Sequence, residues 1–331
     1  MNKKSKAPLK IGSLALESNV IYSPLAGVSD YPFRQMSARY KPGLMFCEMV
    51  KTEPVVRRIK ETYRMLEYNE SMRPIGAQIC GSDPKMARES AIIMEELGFD
   101  VIDFNCGCPV DKVTKKGCGS GLLKTPERIG EILHEMSSAV NVPVTVKVRA
   151  GWDSDCINAP LVTQIAEEAG AAAIFVHGRT RQQAYRGPAV WDHITACKAA
   201  SKNMPVIGNG DVFSGQAALD MLAQTGCDGV LVSRGTMGQP WIIEEILAAM
   251  QNRSYTHKSV DEKKQALIDH FEYSTQFKDE RGALIDLRRI VGWYIKNVFE
   301  AKQFRKRVCA MDSIDDVRAL VSSFEWRENL E

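Results

Sequence analysis

Eight short apolar runs recur along the first 230 or so residues of this 331-residue chain: Val20–Ser23, Leu44–Cys47, Ile75–Ile79, Val101–Phe104, Val144–Lys147, Ala173–His177, Val206–Gly208 and Gly229–Ser233. Val20 and Gly229 are 209 residues apart, seven intervals of about 30 residues, the length of one strand plus one helix. The segments between the runs carry helix punctuation. Ser82-Asp83-Pro84 and Thr125-Pro126-Glu127 each set a capping side chain before a proline suited to the first helical turn. Gly98, Gly170 and Gly226 stand where a helix must end before the next apolar run. Eight such units predict a (β/α)₈ barrel. An open doubly wound sheet is the alternative, and eight regular repeats disfavour it.

After Gln239-Pro240-Trp241 a helix is expected to about Met250, followed by the polar linker Gln251–His257. Beyond it no strand-like alternation occurs. Leu284, Leu287, Val291, Ile295 and Val298 fall at helical spacing, as do Val317, Leu320 and Phe324. The chain therefore divides into a barrel over residues 1–250 and a small all-helical domain over 251–331. Between Arg281 and Arg307 this domain holds eight Lys or Arg against two acids, either a solvated helix face or a surface for a polyanion.

Composition excludes several classes. No apolar run reaches the roughly 18 residues of a membrane span. The start, Met1-Asn2-Lys3-Lys4-Ser5-Lys6, leads into no apolar segment of a signal peptide, so a cytoplasmic location is expected. Nine scattered cysteines without a Cys-x-x-Cys pair point to free thiols in a reducing compartment. A metal site drawn from Cys106, Cys108 and Cys118 lacks a fourth ligand, and no metal is expected. The net charge of +2 does not by itself imply nucleic acid.

A barrel of this kind carries its active site at the C-terminal ends of the strands, and these ends are where polar residues collect. The first strand ends at Ser23-Pro24-Leu25-Ala26-Gly27 and the third on Gln78. The fourth ends on Asn105, the fifth on Lys147 with Arg149 close behind, and the sixth on His177. The seventh ends Asn209-Gly210-Asp211 and the eighth Ser233-Arg234-Gly235. The last two loops are the usual phosphate site of the architecture, offering backbone amides and one guanidinium. Sugar phosphates, pyridoxal phosphate and flavin mononucleotide would all satisfy such a site. Lys147 could form a Schiff base or sit beside a flavin and stabilise the charge of reduction. The neutral amides of Gln78 and Asn105 suit the edge of a flavin better. Cys108, three residues past Asn105, offers a thiol at the same rim. An ordinary thiol, with a pKa of about 8.5, keeps its proton at pH 7 and can donate it to carbon. Cys106 reads as a bystander and Cys118 as a small packing residue. Lys112, Lys115 and Lys116 lie on a loop that would suit a polyanion.

Six segments together resemble the tRNA-dihydrouridine synthases, most closely the bacterial B-type branch. They are Ser23–Arg34, Gly76–Ile79, Asp103–Pro109, Val146–Trp152, Val176–Tyr185 and Ile207–Val212. The resemblance covers nearly the whole chain and is weakest beyond about residue 255. It implies an FMN enzyme that uses NADPH (or NADH) to reduce selected uridines of tRNA to 5,6-dihydrouridine. Hydride would pass from flavin N5 to uracil C6, and Cys108 would protonate C5. Pro24, Leu25, Ala26, Gln78 and Lys147 would hold the isoalloxazine region. Asn209, Gly210, Asp211, Ser233 and Arg234 would hold the ribityl phosphate end. Asn105, His177 and Arg149 would lie near cofactor or uracil. Arg149, Arg179, Arg288, Arg289, Lys296 and Arg305 are the candidate substrate contacts, the last four because the family's helical domain binds tRNA. No obligate protein partner is evident, and a monomer is expected. Ser233-Arg234 replaces the commoner Gly-Arg, and Cys106 adds a second thiol. An FMN barrel acting on a free pyrimidine, a phosphate-binding aldolase using Lys147 and a non-catalytic RNA-binding protein are the competing readings.

Overall fold

The computed structural model describes residues 8–296 and 298–327, so the basic start of the chain lies outside the described residues. The eight apolar runs form strands β1 (Val20–Tyr22), β2 (Leu44–Phe46), β3 (Ile75–Cys80), β4 (Val101–Cys106), β5 (Val144–Arg149), β6 (Ala173–His177), β7 (Val206–Asn209) and β8 (Gly229–Val232). Each pairs in parallel with its sequence neighbour, and β8 pairs with β1, which closes the barrel. Helices cover the outside between successive strands. A two-residue segment, Val50–Lys51, pairs beside Ile79 and Cys80 and prolongs β2 past an interruption at residues 47–49.

The expected punctuation operates locally. Asp83 accepts a hydrogen bond from the Met86 N–H, with Pro84 opening the helix. Thr125 occupies the corresponding position before Pro126 but makes no side-chain cap. Gly98, Gly170 and Gly226 adopt φ of 82°, 89° and 65°, the left-handed conformation that ends a helix cheaply only in glycine.

Alternation along the strands sorts side chains into two layers. Ile102, Phe104, Cys106, Val144, Val146, Val148, Ile174 and Val176 face the surrounding helices in one apolar cluster. Ile21, Leu44, Phe46, Val101, Ala173, Phe175, Ile207 and Leu231 fill the barrel interior in another. An antiparallel hairpin, Lys10–Ile11 with Leu14–Ala15, pushes Ile11 and Leu16 into that interior cluster. The sequence reading did not contain this hairpin, because two-residue strands leave no periodic signal.

The helices after the barrel, Val260–Phe277, Glu280–Tyr294, Ala301–Cys309 and Ile314–Ser323, share a third cluster that includes Leu267, Leu287, Val291, Phe304 and Val317. Phe33 and Met36 of the barrel helix Tyr31–Ala38, and Trp241, belong to the same cluster. The rings of Tyr31 and Phe277 stack at 4.4 Å. The helical bundle is thus seated on the first barrel helix.

Candidate active site

Above the apolar floor of the barrel the inward positions become polar. On β4, Val101 belongs to the floor, and the inward positions two and four residues later carry Asp103 and Asn105. On β5 the inward residues are Thr145, Lys147 and Arg149, and on β6 Phe175 is followed by His177. A cavity of about 420 Å³ opens at this end, within the range of small-molecule sites. Its lining includes Pro24, Leu25, Ala26, Gln78, Asn105, Cys108, Lys147, Arg149, His177, Asn209, Gly210, Asp211, Ser233 and Arg234. A broader groove of about 1630 Å³ lies at the opposite end. Several of its charges are already used: Lys198 pairs with Asp228 at 2.7 Å, and Glu167 accepts the Lys202, Asn203 and Met204 N–H groups.

Four side chains form one chain of hydrogen bonds beneath the cavity. The Thr145 hydroxyl and Gln78 Nε2 both donate to Asp103, each at 2.7 Å. Asn105 Nδ2 donates to Gln78 Oε1 at 2.9 Å. Asn105 Oδ1 in turn accepts from the Gly107 and Cys108 N–H groups at 3.1 and 2.9 Å. Burial pushes the Asp103 carboxyl up to about 6, opposed by the two donors it receives. Asp103 was not among the candidate residues. An acid two residues before Asn105, in an otherwise apolar strand, was the available signal.

The backbone of Cys108 is held from both sides. Its carbonyl accepts from the Ser120 hydroxyl at 2.8 Å and the Ser120 N–H at 3.1 Å. Arg149 is buried and spans three carbonyls, those of Gly107, Thr180 and Ala184, at 2.8–3.0 Å. Burial lowers its guanidinium to about 10. Cys106 faces the helices instead, fully buried, and burial raises its thiol well above the ordinary value. Cys118, read as a packing residue, donates to the Lys116 carbonyl at 3.5 Å. The neighbouring Cys80 thiol, with help from Ser82 and nearby lysines, lowers it to about 6. Neither Cys106 nor Cys118 lines the cavity. Among the described residues no group of three or more His, Cys, Asp or Glu is placed to hold a metal ion.

Lys147 is half-buried, and its ammonium donates to Asn209 Oδ1 at 3.2 Å. Burial and the neighbouring Arg149 lower it to about 8. Burial also holds His177 well below the usual histidine value, helped by the charges of Lys147, Arg149 and Arg179, so its ring is neutral. Its Nδ1 lies 3.3 Å from the Asn209 carbonyl.

At the ends of β7 and β8 the Asn209 amide donates to the Leu231 carbonyl at 2.7 Å and to the Ser233 hydroxyl at 3.0 Å. Asp211 accepts two bonds from Arg179, at 2.8 and 2.9 Å, one from Arg234 at 3.1 Å, and one from the Ala189 N–H. Burial resists ionisation of Asp211, but these donors outweigh it and hold the carboxyl below its ordinary range. The oxygens of Asp211 are thereby committed to orienting guanidinium groups. Arg179 is buried between Asp211 and the Gly187 carbonyl, while Arg234 lines the cavity between the exposed rings of Tyr185 and Phe213, at 5.0 and 5.5 Å. Gly210 has φ +127°, and a Cβ at Gly235 would lie 2.3 Å from the Val212 carbonyl. Both positions need glycine for the loops to approach this closely.

These features match the needs of a flavin phosphate. The donors Arg234 and Ser233 stand at one end of the cavity, with the Asn209 amide bonded to the Ser233 hydroxyl. Lys147 and the amides of Gln78 and Asn105 stand at the centre, and Pro24, Leu25 and Ala26 form one wall.

The candidate substrate arginines separate. Arg288 donates to the Met311 carbonyl at 2.7 Å and pairs with Asp312. Arg289 pairs with Asp286 and donates to the Gly27 carbonyl. Lys296 is exposed and close enough to Arg234 to feel its charge. Arg305 is exposed on the helix Ala301–Cys309, beside exposed Lys302, Lys306 and Arg307.

Residues 21–325 match the family model described as "Dihydrouridine synthase (Dus)". The chain is 39% identical over 310 residues to tRNA-dihydrouridine synthase B of Vibrio cholerae, covering 93% of this chain and 95% of that one. It is 37% identical to the probable tRNA-dihydrouridine synthase 1 of a Synechocystis species, covering 95% and 88%. Among solved structures, histamine dehydrogenase from a Rhizobium species superimposes with TM-score 0.58 at 13% identity, covering 80% of this chain and 50% of that one. Morphinone reductase in complex with tetrahydroNAD superimposes with TM-score 0.52 at 12% identity, covering 77% and 93%. At these identities the two structures speak for the fold alone.

Proposed function

Because the chain belongs to the dihydrouridine synthase family, we propose that it reduces uridines of tRNA to 5,6-dihydrouridine in the cytoplasm, with FMN as cofactor and NADPH or NADH as reductant. The observation that carries this reading is the convergence of Gln78, Asn105, Lys147, His177, Asn209, Ser233 and Arg234 on the one cavity that also exposes Cys108. Hydride for C6 of the uracil is the chemistry a bound flavin supplies.

The residues of the chain do the rest. Lys147 brings positive charge to the cofactor ring, where reduction accumulates negative charge. Gln78 and Asn105 orient ring and base through neutral amides. Arg234 and Ser233 hold the phosphate end, Asn209 positions the Ser233 hydroxyl, and Asp211 holds Arg234 in place. The Cys108 thiol gives its proton to C5 of the uracil as C6 receives hydride, and the thiolate regains a proton from solvent afterwards. Its backbone, held by Asn105 and Ser120, fixes where that proton is delivered.

A stacked uridine must leave the fold of the tRNA to reach this depth, at a cost of roughly a few kcal/mol. The helical region that follows the barrel, with exposed Lys302, Arg305, Lys306 and Arg307, supplies phosphate contacts that offset it. The test is dihydrouridine mapping in tRNA treated with the wild-type protein and with Cys108→Ala. Cys108→Ala should retain FMN and lose at least about 100-fold in uridine reduction. Full activity of this variant would refute the proton donor, and equal turnover of free uridine and tRNA would refute the tRNA reading.

A further inference from the structure

The hydrogen-bond chain under the cavity has a direction, and its direction is set at both ends. Asp103, when ionised, has only acceptor oxygens. It therefore requires the Gln78 NH₂ to point at it, as observed at 2.7 Å. That leaves Gln78 Oε1 to meet the Asn105 NH₂ at 2.9 Å. Asn105 must then turn Oδ1 toward the Gly107 and Cys108 N–H groups, at 3.1 and 2.9 Å. Those two N–H groups can only donate, so the far end demands the same polarity. Reversing either amide would set donor against donor at Cys108 or acceptor against acceptor at Asp103. Asp103 is fully buried, does not line the cavity, and has its second oxygen occupied by Thr145.

We propose that Asp103 is a positioning residue: its carboxylate polarises the Gln78–Asn105 relay and so fixes the orientation of the Cys108 loop against the substrate. The effect runs through two amides that themselves face the cavity, so one buried charge orients both the ring-binding groups and the thiol. Charge-assisted hydrogen bonds suit this task because they are the strongest in such a relay. Supporting groups behind the ligands of a site commonly matter in this way, a misplacement of about 1 Å being worth up to roughly 100-fold in rate.

A charge swap tests the polarity directly, and it rests on the functional reading only for its rate measurement. In Asp103→Asn, one of the two acceptor oxygens that serve Gln78 and Thr145 becomes an NH₂ donor, so the polarity at Gln78 is no longer dictated. In Gln78→Glu, two carboxylates face each other. In Asp103→Asn with Gln78→Glu, an Asn NH₂ donates to the new carboxylate, Asn105 again donates to position 78, and the direction at Cys108 is restored. With FMN saturating, each single variant is expected to lower kcat about ten-fold or more with KM for tRNA within about two-fold. Because residue 78 also faces the cavity, the double variant is expected to keep a lowered kcat, and its rescue is read at the Cys108 loop alone. A second readout needs no activity: hydrogen exchange at the Gly107 and Cys108 amides, followed with and without FMN, should quicken in both single variants and slow again in the double. Amide exchange that stays fast in the double variant, or amide exchange unchanged in Asp103→Asn, would overturn the proposal. A wild-type protein that forms no dihydrouridine would overturn the functional reading while leaving the exchange test intact.

Discussion

The guanidinium of Arg289, on the helix Glu280–Tyr294, donates to the carbonyl of Gly27, the residue that follows the Pro24-Leu25-Ala26 wall of the cavity. The Gly27 N–H in turn donates to Glu48, in the interruption of β2. The same helix carries Asp286, which pairs with Arg289 at 2.8 Å and with Lys278, while Lys278 also reaches Asp30 at 2.6 Å. The helical bundle and the cofactor wall are joined by a small ionic clasp.

Arg289→Ala should open that clasp. The expected result is a loss of about 1–3 kcal/mol in stability, since a hydrogen-bonded charge is removed from a partly buried site, together with faster release of FMN. Urea denaturation and a flavin dissociation rate check both. If the variant instead weakens tRNA binding and leaves FMN release unchanged, Arg289 is a substrate contact of the kind its position in a basic stretch had led us to expect.

The exposed row Lys302, Arg305, Lys306 and Arg307 behaves differently. Lys302→Glu with Lys306→Glu should weaken tRNA binding and reduce the slope of log Kd against log salt by up to about 2, one phosphate contact per lysine. FMN binding should not change. A salt titration by filter binding reads the slope, and an unaltered slope would remove this face from the interface.

Lys147 predicts how FMN affinity depends on pH. Without ligand its pKa is about 8, and an anionic cofactor favours the protonated form. Affinity should therefore be flat below about pH 8 and fall as pH rises beyond it, because the empty protein has lost the proton that the complex needs. Fluorescence titrations from pH 7 to 10 test this. Lys147→Met should bind FMN more weakly at pH 7 and lose this limb of the profile.

His270 predicts an acid sensitivity of the helical bundle. It is fully buried among Phe33, Trp293 and Tyr294. Its Nδ1 lies 3.2 Å from the Tyr294 hydroxyl, and its Nε2 has no partner among the described residues. Burial lowers it to about 4. Between about 6.5 and 4 the unfolded chain binds a proton that the folded one refuses, so stability is present above pH 6.5 and is lost as pH falls toward 4. The contribution is up to about 3 kcal/mol. His270→Gln should show a shallower decline of unfolding free energy across this window. An identical slope would mean the histidine is hydrated in the folded state.

The barrel and much of its rim were legible in the sequence because they rest on local rules. Apolar runs of strand length, caps at Asp83 and glycines 98, 170 and 226 repeat at a fixed spacing, and each acts within a few residues of itself. Gln78, Asn105, Lys147, His177 and Asn209 were visible because a parallel barrel sends every strand end to one rim, so position along the chain already implied position in space. The family motifs added the chemistry that those residues serve.

Partnership is what the tertiary structure alone decided. Arg179 and Asp211 engage each other 32 residues apart, and Arg289 reaches Gly27 across 262. Charge count could not tell a clasp from a tRNA contact, because both are arginines in a basic stretch. Asp103 was hidden for the same reason. One strand predicts that it points inward, but only closure of the barrel sets Gln78 and Thr145 beside it. Sequence determines local conformation and the inward or outward sense of each side chain, whereas the direction of a hydrogen bond depends on which distant group packing delivers.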